Sequence, residues 1–406
     1  MNEIGLKCVS CQSEWPIEQH YECPACGGIL EVSYKVEGSG GKEFSPFLPL
    51  DKQELISLGE GMTSLIPSQR IAKEIGLEHL SFKCEFMNPT GSFKDRPVSI
   101  GISMAKKFGY KRVIVASSGN GAGSVSAYAA RAGMEAVILV PESTPIEKVR
   151  QAQFYGASVI KVPGPYSHCF SLAKETGEKL QMCNLTTTFL NPYTVEGDKT
   201  VAYELINQLE GKVPDIIFIP IGAGPLLAGI YKGYEEYNQF QSTNRMPRMA
   251  GIQAEGCNPI ARAFLEERNE VQSVAHPHTL AGGIGDGLDG YAKDGTHTLT
   301  LIRQSKGFSL AVTDEEILQA QSWLAQYEGL FVEPSAAAAL AGLITSVKEG
   351  RMKKTERAVV VLTGHGLKDM SCLKAKEPPV ISTVDEVATF LKKKEDKKWQ
   401  DSVLPK

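Results

Sequence analysis

Three short segments set small and polar residues where a helix could begin, and one of them carries a lysine. Asn88-Pro-Thr-Gly-Ser-Phe-Lys-Asp-Arg96 places Lys94 in a glycine- and serine-flanked turn before an apolar run. Partial burial near a helix start lowers a lysine's pKa and leaves its amine able to attack a carbonyl. Taken alone, Lys94 also reads as a surface lysine capping a helix. Ser117-Ser-Gly-Asn120 directly follows the apolar run Val113–Ala116, and Gly222-Ala-Gly-Pro-Leu226 directly follows Ile216–Ile221. In an open α/β sheet, ligands bind beyond the carboxyl ends of strands, where helix N-termini offer free N–H groups. Gly222, Ala223, Gly224, Pro225 and Leu226 suit a phosphate, because two glycines let the backbone approach and the next helix aims its positive end at the anion. A plain strand-to-helix turn is the alternative. No Walker A lysine follows any of these loops, and none of the three reads G-x-G-x-x-G, which disfavours a nucleotide.

A fourth constellation lies at the N-terminus. Cys8-x2-Cys11 and Cys23-x2-Cys26 are separated by eleven residues, a spacing that brings four thiolates around one zinc. Four cysteines close the coordination sphere, so the site would be structural. Surface disulfides are the alternative, disfavoured because no secretory signal precedes them. The segment carries Glu14, Glu18, Glu22 and Glu31 and little Lys or Arg, which argues against nucleic acid.

The elements that must position these residues alternate. Arg112–Ala116, Ala136–Val140, Ser158–Val162, Ile216–Ile221, Met249–Gln253 and Ala358–Leu362 read as strands. Ala122–Ala132 and Pro145–Tyr155 read as helices between them. Such alternation predicts an α/β protein with mostly parallel sheets. At 406 residues the chain has room for two or three domains. A net charge of −4, from 43 basic and 47 acidic residues, fits neither a polyanion-binding protein nor an anionic membrane surface. The strand-like apolar runs are far shorter than the ~20 residues that span a bilayer. Nine cysteines in a long chain point to a reducing, cytoplasmic setting.

The motifs together resemble the pyridoxal-phosphate (PLP) enzymes of the tryptophan synthase β-subunit fold, fold type II, and within them threonine synthase. Asn88–Arg96 is similar to the family's cofactor-lysine motif, Ser117–Asn120 to its S-x-G-N loop, and Thr363-Gly-His-Gly-Leu-Lys-Asp369 to the threonine synthase C-terminal signature. Glu333-Pro-Ser-Ala-Ala337 also fits, and a four-cysteine zinc ribbon is common among relatives. The resemblance implies a zinc ribbon over 1–36, a linker over 37–59, a large domain from 60–100 and 200–376, a small domain over 101–199, and a charged tail over 377–406. It implies that Lys94 holds the cofactor and moves protons at the substrate Cα. Asn120 would meet the cofactor's phenolic oxygen, Gly222–Leu226 its phosphate, and Thr363 its ring nitrogen. Ser117, Ser118, Gly119, Asn120 and Gly121 would surround the substrate carboxylate. Glu333 would stand beside the cofactor or simply start a helix. Relatives are commonly homodimers.

The chain also departs from the pattern. Threonine synthase acts on O-phosphohomoserine and needs a second anion site. The family's N-P-x-R-x-E-G-x-K-T loop here reads Asn191-Pro-Tyr-Thr-Val-Glu-Gly-Asp-Lys-Thr200, so Thr194 replaces an arginine. Thr188 and Phe189 replace Asn-Ser, and Gly121 replaces Thr. Arg96-Pro97 stands where a small residue more often follows the arginine. Phosphate favours arginine and hydroxyl donors. These changes predict a side-chain pocket lined by Thr188, Phe189 and Thr194 and a smaller, less anionic leaving group. The expected activity is PLP-dependent elimination or replacement at the β- or γ-carbon of a small amino acid. Serine or threonine deamination is the alternative, and a catalytically silent PLP-binding regulator is the non-enzymatic one.

Overall fold

A computed structural model of the chain describes residues 4–35, 47–241, 245–373 and 377–392. The last residue of the expected ribbon, the first part of the expected linker (37–46) and the tail beyond 392 lie outside the described residues. Residues Met1–Met370 form one compact unit and Ser371–Lys406 a second, in which 384–392 are helical.

Along the chain, β1 (Ile4–Cys8), β2 (Glu14–Trp15) and β3 (Leu30–Tyr34) form a small antiparallel sheet in the order β2-β1-β3. Next come β4 (Leu65–Pro67), α1 (Ile71–Ile75), β5 (His79–Lys83) and α2 (Asp95–Lys107). The following stretch alternates β6 (Arg112–Ala116), α3 (Asn120–Ala132), β7 (Glu135–Pro141), α4 (Ile146–Phe154), β8 (Ser158–Val162), α5 (Tyr166–Lys179) and β9 (Cys183–Asn184). It builds a four-stranded parallel sheet, β8-β7-β6-β9. Two buried helices follow, α6 (Pro192–Asp198) and α7 (Thr200–Gln208). The rest is β10 (Ile216–Pro220), α8 (Pro225–Gln241), β11 (Arg248–Ala254), α9 (Pro259–Leu265), α10 (Ala292–Gln304), β12 (Phe308–Val312), α11 (Asp314–Trp323), α12 (Pro334–Lys348) and β13 (Arg357–Val361). Its strands join β4 and β5 in a six-stranded sheet, β12-β11-β10-β13-β5-β4, parallel except for the edge strand β4.

β10 is apolar at every position because both faces of the sheet are covered. On β10, Ile216 and Phe218 enter one core with Ala358 and Val360, while Ile217 and Ile219 enter another with Val359 and Val361. This is the two-residue alternation of a strand sandwiched between helices. The small sheet has its own core around Val113, Val115, Ile138 and Tyr128. The N-terminal sheet packs Leu6, Leu30 and Val32 against Ile100 and Met104 of α2 and Tyr193 of α6. β6, β10 and β13 all end at one cleft, and the turn beyond β5 reaches it too.

Candidate active site

The cleft encloses about 890 Å³, and the carboxyl ends of both large sheets open onto it. Lys94 lines it from the N-cap position of α2. Pro97, in the first turn of that helix, lacks only an N–H the helix would leave unpaired anyway. The Lys94 amine lies 4.6 Å from the Phe93 ring centroid. Burial lowers its pKa, against the opposing pull of Asp198, Asp286 and Glu333. A lowered pKa favours the role of lysine as nucleophile or base.

A dense ion network pins the first turn of α2. Arg96 donates to both oxygens of Glu85, at 2.6 and 2.7 Å, and to both oxygens of Glu204, at 2.7 and 2.8 Å. Lys83 meets Glu204 at 2.5 Å. Arg96 and Glu85 are almost fully buried. The unexpected Arg96-Pro97 pair is thus an anchor and a helix start.

Two glycine loops face Lys94. Ser117, Ser118, Gly119, Asn120 and Gly121 line the cleft at the N-terminus of α3. A Cβ at Gly121 would lie 2.9 Å from Ser117 Oγ, so glycine leaves room for that hydroxyl. Asn120 Nδ2 donates to both carboxylate oxygens of Glu333, each at 3.0 Å. Burial raises the pKa of Glu333, while the Asn120 contact and Lys368 lower it. Glu333 occupies the N-cap position of α12, and its carboxylate holds Asn120.

Gly222, Ala223, Gly224, Pro225 and Leu226 line the cleft before α8. Among the described residues, the backbone N–H groups of Gly222, Ala223 and Gly224 donate to no other protein group. Gly224 has φ +103°, and a Cβ there would fall 2.3 Å from Thr298 Oγ1. Free amides at a helix start, with no side chain between them and the cleft, fit a phosphate. Thr363 lines the cleft beyond β13, and its hydroxyl makes no protein hydrogen bond among the described residues. His365 accepts from Leu367 N at 3.1 Å and meets the Phe86 and Phe331 rings edge-on.

Two expected pocket residues are placed elsewhere. Phe189 packs beside Ile29 and Val195, edge-on to His297 with centroids 5.0 Å apart, and lines a second cavity of about 420 Å³. Thr194 is buried in α6, lies near Gly101 of α2, and donates to the Asn191 carbonyl at 2.7 Å. Neither lines the cleft, and Thr194 is held away from it because α6 packs against α2 and α8. Thr188 lines both cavities.

The cleft holds groups the sequence reading passed over. Lys148 and Arg150 of α4 and Lys368 line it. Lys148 pairs with Asp369 at 3.0 Å, and Lys368 donates to the Thr90 carbonyl at 3.1 Å. Asp286 lines it as well. Its Oδ1 accepts from Leu288 N and from the Tyr291 hydroxyl at 2.6 Å, and burial raises its pKa. Asp286 directly follows the glycine-rich Ala281-Gly-Gly-Ile-Gly285, the sequence signal that could have found it.

Residues 56–364 match the family described as pyridoxal-phosphate dependent enzyme. The chain belongs to that family. It is 36% identical over 391 residues to a threonine synthase of Methanocaldococcus jannaschii, covering 92% of this chain and 95% of the relative. It is 38% identical over 330 residues to a threonine synthase of Halalkalibacterium halodurans, covering 81% and 89%. Among solved structures, maize serine racemase superposes with a TM-score of 0.63 at 22% identity, covering 83% of this chain and 93% of that one. O-ureido-L-serine synthase gives 0.66 at 20% identity, covering 84% and 100%. The protein is a PLP-dependent lyase or synthase of fold type II.

Away from the cleft, the sulfur atoms of Cys8, Cys11, Cys23 and Cys26 lie within 4.8 Å of one another, with two pairs at 3.5 and 3.6 Å. Tetrahedral zinc with ~2.3 Å bonds needs sulfurs about 3.8 Å apart, so the cluster fits the ion.

Proposed function

We propose that the enzyme eliminates or replaces a substituent on the β- or γ-carbon of a small amino acid that carries an anionic leaving group. The observation that carries this reading is the half-buried Lys94 amine opening onto a cleft walled by two glycine loops at helix N-termini. When bound, pyridoxal phosphate withdraws electrons from the substrate and makes its Cα proton removable. Lys94 would hold the cofactor, then take and return the proton at Cα. The N–H groups at the start of α3, with Ser117 and Ser118, would bind the substrate carboxylate. Asn120, held by Glu333, keeps an N–H to give to the ring oxygen. The Gly222–Leu226 loop would take the cofactor phosphate. A neutral hydroxyl at Thr363 would meet the ring nitrogen without forcing it to stay protonated.

Lys148, Arg150 and Lys368 line the cleft, which supports an anionic substituent over the less anionic one expected from Thr188, Phe189 and Thr194. The 36% identity to threonine synthases over most of the chain supports the same class. Deamination of serine or threonine is the second reading, favoured by the missing arginine at 194. A panel of O-phosphohomoserine, O-phosphoserine, serine and threonine decides between them. Phosphate release supports the first reading, and ammonia with a 2-oxo acid but no phosphate release supports the second. No turnover of any substrate would leave a silent PLP-binding relative.

The proposal includes one structural zinc on the four cysteines and a homodimer in the cytoplasm. No helix among the described residues is long and apolar enough to cross a membrane. Elemental analysis tests the zinc, light scattering the dimer, and cell fractionation the location.

A further inference from the structure

Helix α10 stands between the cysteine ribbon and the cleft and is bonded to both. On the ribbon side, Lys293 donates to the Gly27 carbonyl at 2.9 Å and pairs with Glu22. His297 Nε2 lies 2.9 Å from the Glu31 carboxylate. Gly27 directly follows Cys26, so Lys293 grips the second metal knuckle by its backbone.

The other contacts of α10 reach the cleft. Asp294, buried, accepts the Phe189 N–H at 3.0 Å. The carbonyl of that same peptide unit belongs to Thr188, a cleft residue. Thr298, fully buried, donates to the Ala223 carbonyl at 2.6 Å, in the middle of the glycine loop. A trans peptide points its N–H opposite to its C=O. Holding the Ala223 carbonyl toward α10 therefore turns the Gly224 N–H away from α10. One helix of 13 residues thus ties the metal knuckle, the cleft wall and the anion loop together.

We propose that Thr298 and Asp294 are positioning residues for the cofactor cradle and the cleft wall, and that metal in the four-cysteine ribbon tightens cofactor binding by fixing α10. The inference rests on the assignment of the Gly222–Leu226 loop to the cofactor phosphate. Both sites then share one element, and each should report the state of the other. The chain of bonds gives a concrete route for that coupling, and a double-mutant comparison measures it.

The test uses the full chain carrying zinc and PLP. Cofactor affinity is read by absorbance titration, the phosphate environment by phosphorus NMR, and metal content by elemental analysis. Removing zinc with a chelator should weaken PLP binding roughly five- to tenfold, the scale of one well-placed hydrogen bond. Thr298→Val should weaken it by a similar factor with zinc retained and should shift the phosphorus resonance. Thr298→Ser, which keeps the hydroxyl, should restore both. Zinc removal from Thr298→Val should add little further loss. Equal fold-losses on zinc removal in the wild type and in Thr298→Val would show two independent effects and overturn the inference. Should Thr298→Val fail to fold, the wild type decides, because PLP affinity indifferent to zinc overturns it as well. A wild-type chain that binds no PLP would sink the cradle assignment and the inference together. PLP bound at unchanged affinity without zinc would sink the inference alone.

Discussion

Replacing Arg96 with Met keeps the length and apolar stem of the side chain and removes its charge. Glu85, with no exposed surface, would lose both of its short bonds to the guanidinium, and Glu204 would lose two more. Stripping one partner from a buried ion pair costs about 3–5 kcal/mol, mostly as the penalty of the stranded charge. A second route gives a similar size. The Arg96 and Lys83 contacts hold Glu204 down at about 2, from an ordinary 4.5, and its side chain is only 12% exposed. A depression of that size corresponds to roughly 3 kcal/mol. The folded pKa lies below the unfolded one, so this stability is present above about pH 4.5 and is lost as pH falls toward 2. Urea unfolding of the cofactor-free chain at neutral pH should therefore show Arg96→Met destabilised by about 3–5 kcal/mol. Adding Glu85→Gln should recover part of that loss, because the stranded charge is gone. A loss under about 1 kcal/mol, the scale of a surface pair, or a double variant no better than the single one, would refute the reasoning.

Three further outcomes follow from the site. Lys94→Ala should abolish the absorption band of lysine-bound cofactor and turnover together while leaving the urea midpoint of the cofactor-free chain nearly unchanged. Gly224→Ala should weaken cofactor binding at least about tenfold, since the new methyl overlaps Thr298 and the left-handed backbone costs an alanine roughly 1–2 kcal/mol; titration with PLP measures it. Glu333→Ala should shift the bound-cofactor spectrum more than Glu333→Gln, because glutamine's carbonyl can still accept one N–H from Asn120.

The parts of this fold that were legible in the sequence are those set by local pattern. Ser158–Val162 and Arg112–Ala116 are β-branched runs bounded by turns, and both are strands with the expected bounds. The Ser117–Gly121 turn, the Gly222–Leu226 loop and Thr363 each sit just beyond a strand and Lys94 at a helix start, where the chain must turn, and the structure brings all four to one cleft. Thr194 and Phe189 were misplaced for a physical reason. Every residue of α6 is buried, so no polar face marks which side meets the cleft. Phe189 is claimed by Ile29 of the ribbon, a contact between distant segments that no local pattern announces. The Asn120–Glu333 pair was out of reach for the same reason, with 213 positions separating its members.

β13 is the last strand among the described residues, yet it lies in the interior of the six-stranded sheet, hydrogen-bonded to β10 on one side and β5 on the other. During synthesis, β5 and the turn bearing Lys94 leave the ribosome early and wait for a neighbour made almost at the end. Until β13 slots in, the edges of β5 and β10 that pair with it have no strand beside them. The cleft thus depends on a strand made late in synthesis. A chain cut short before residue 357 would carry most of the cleft's lining and lack the strand that joins β5 to β10.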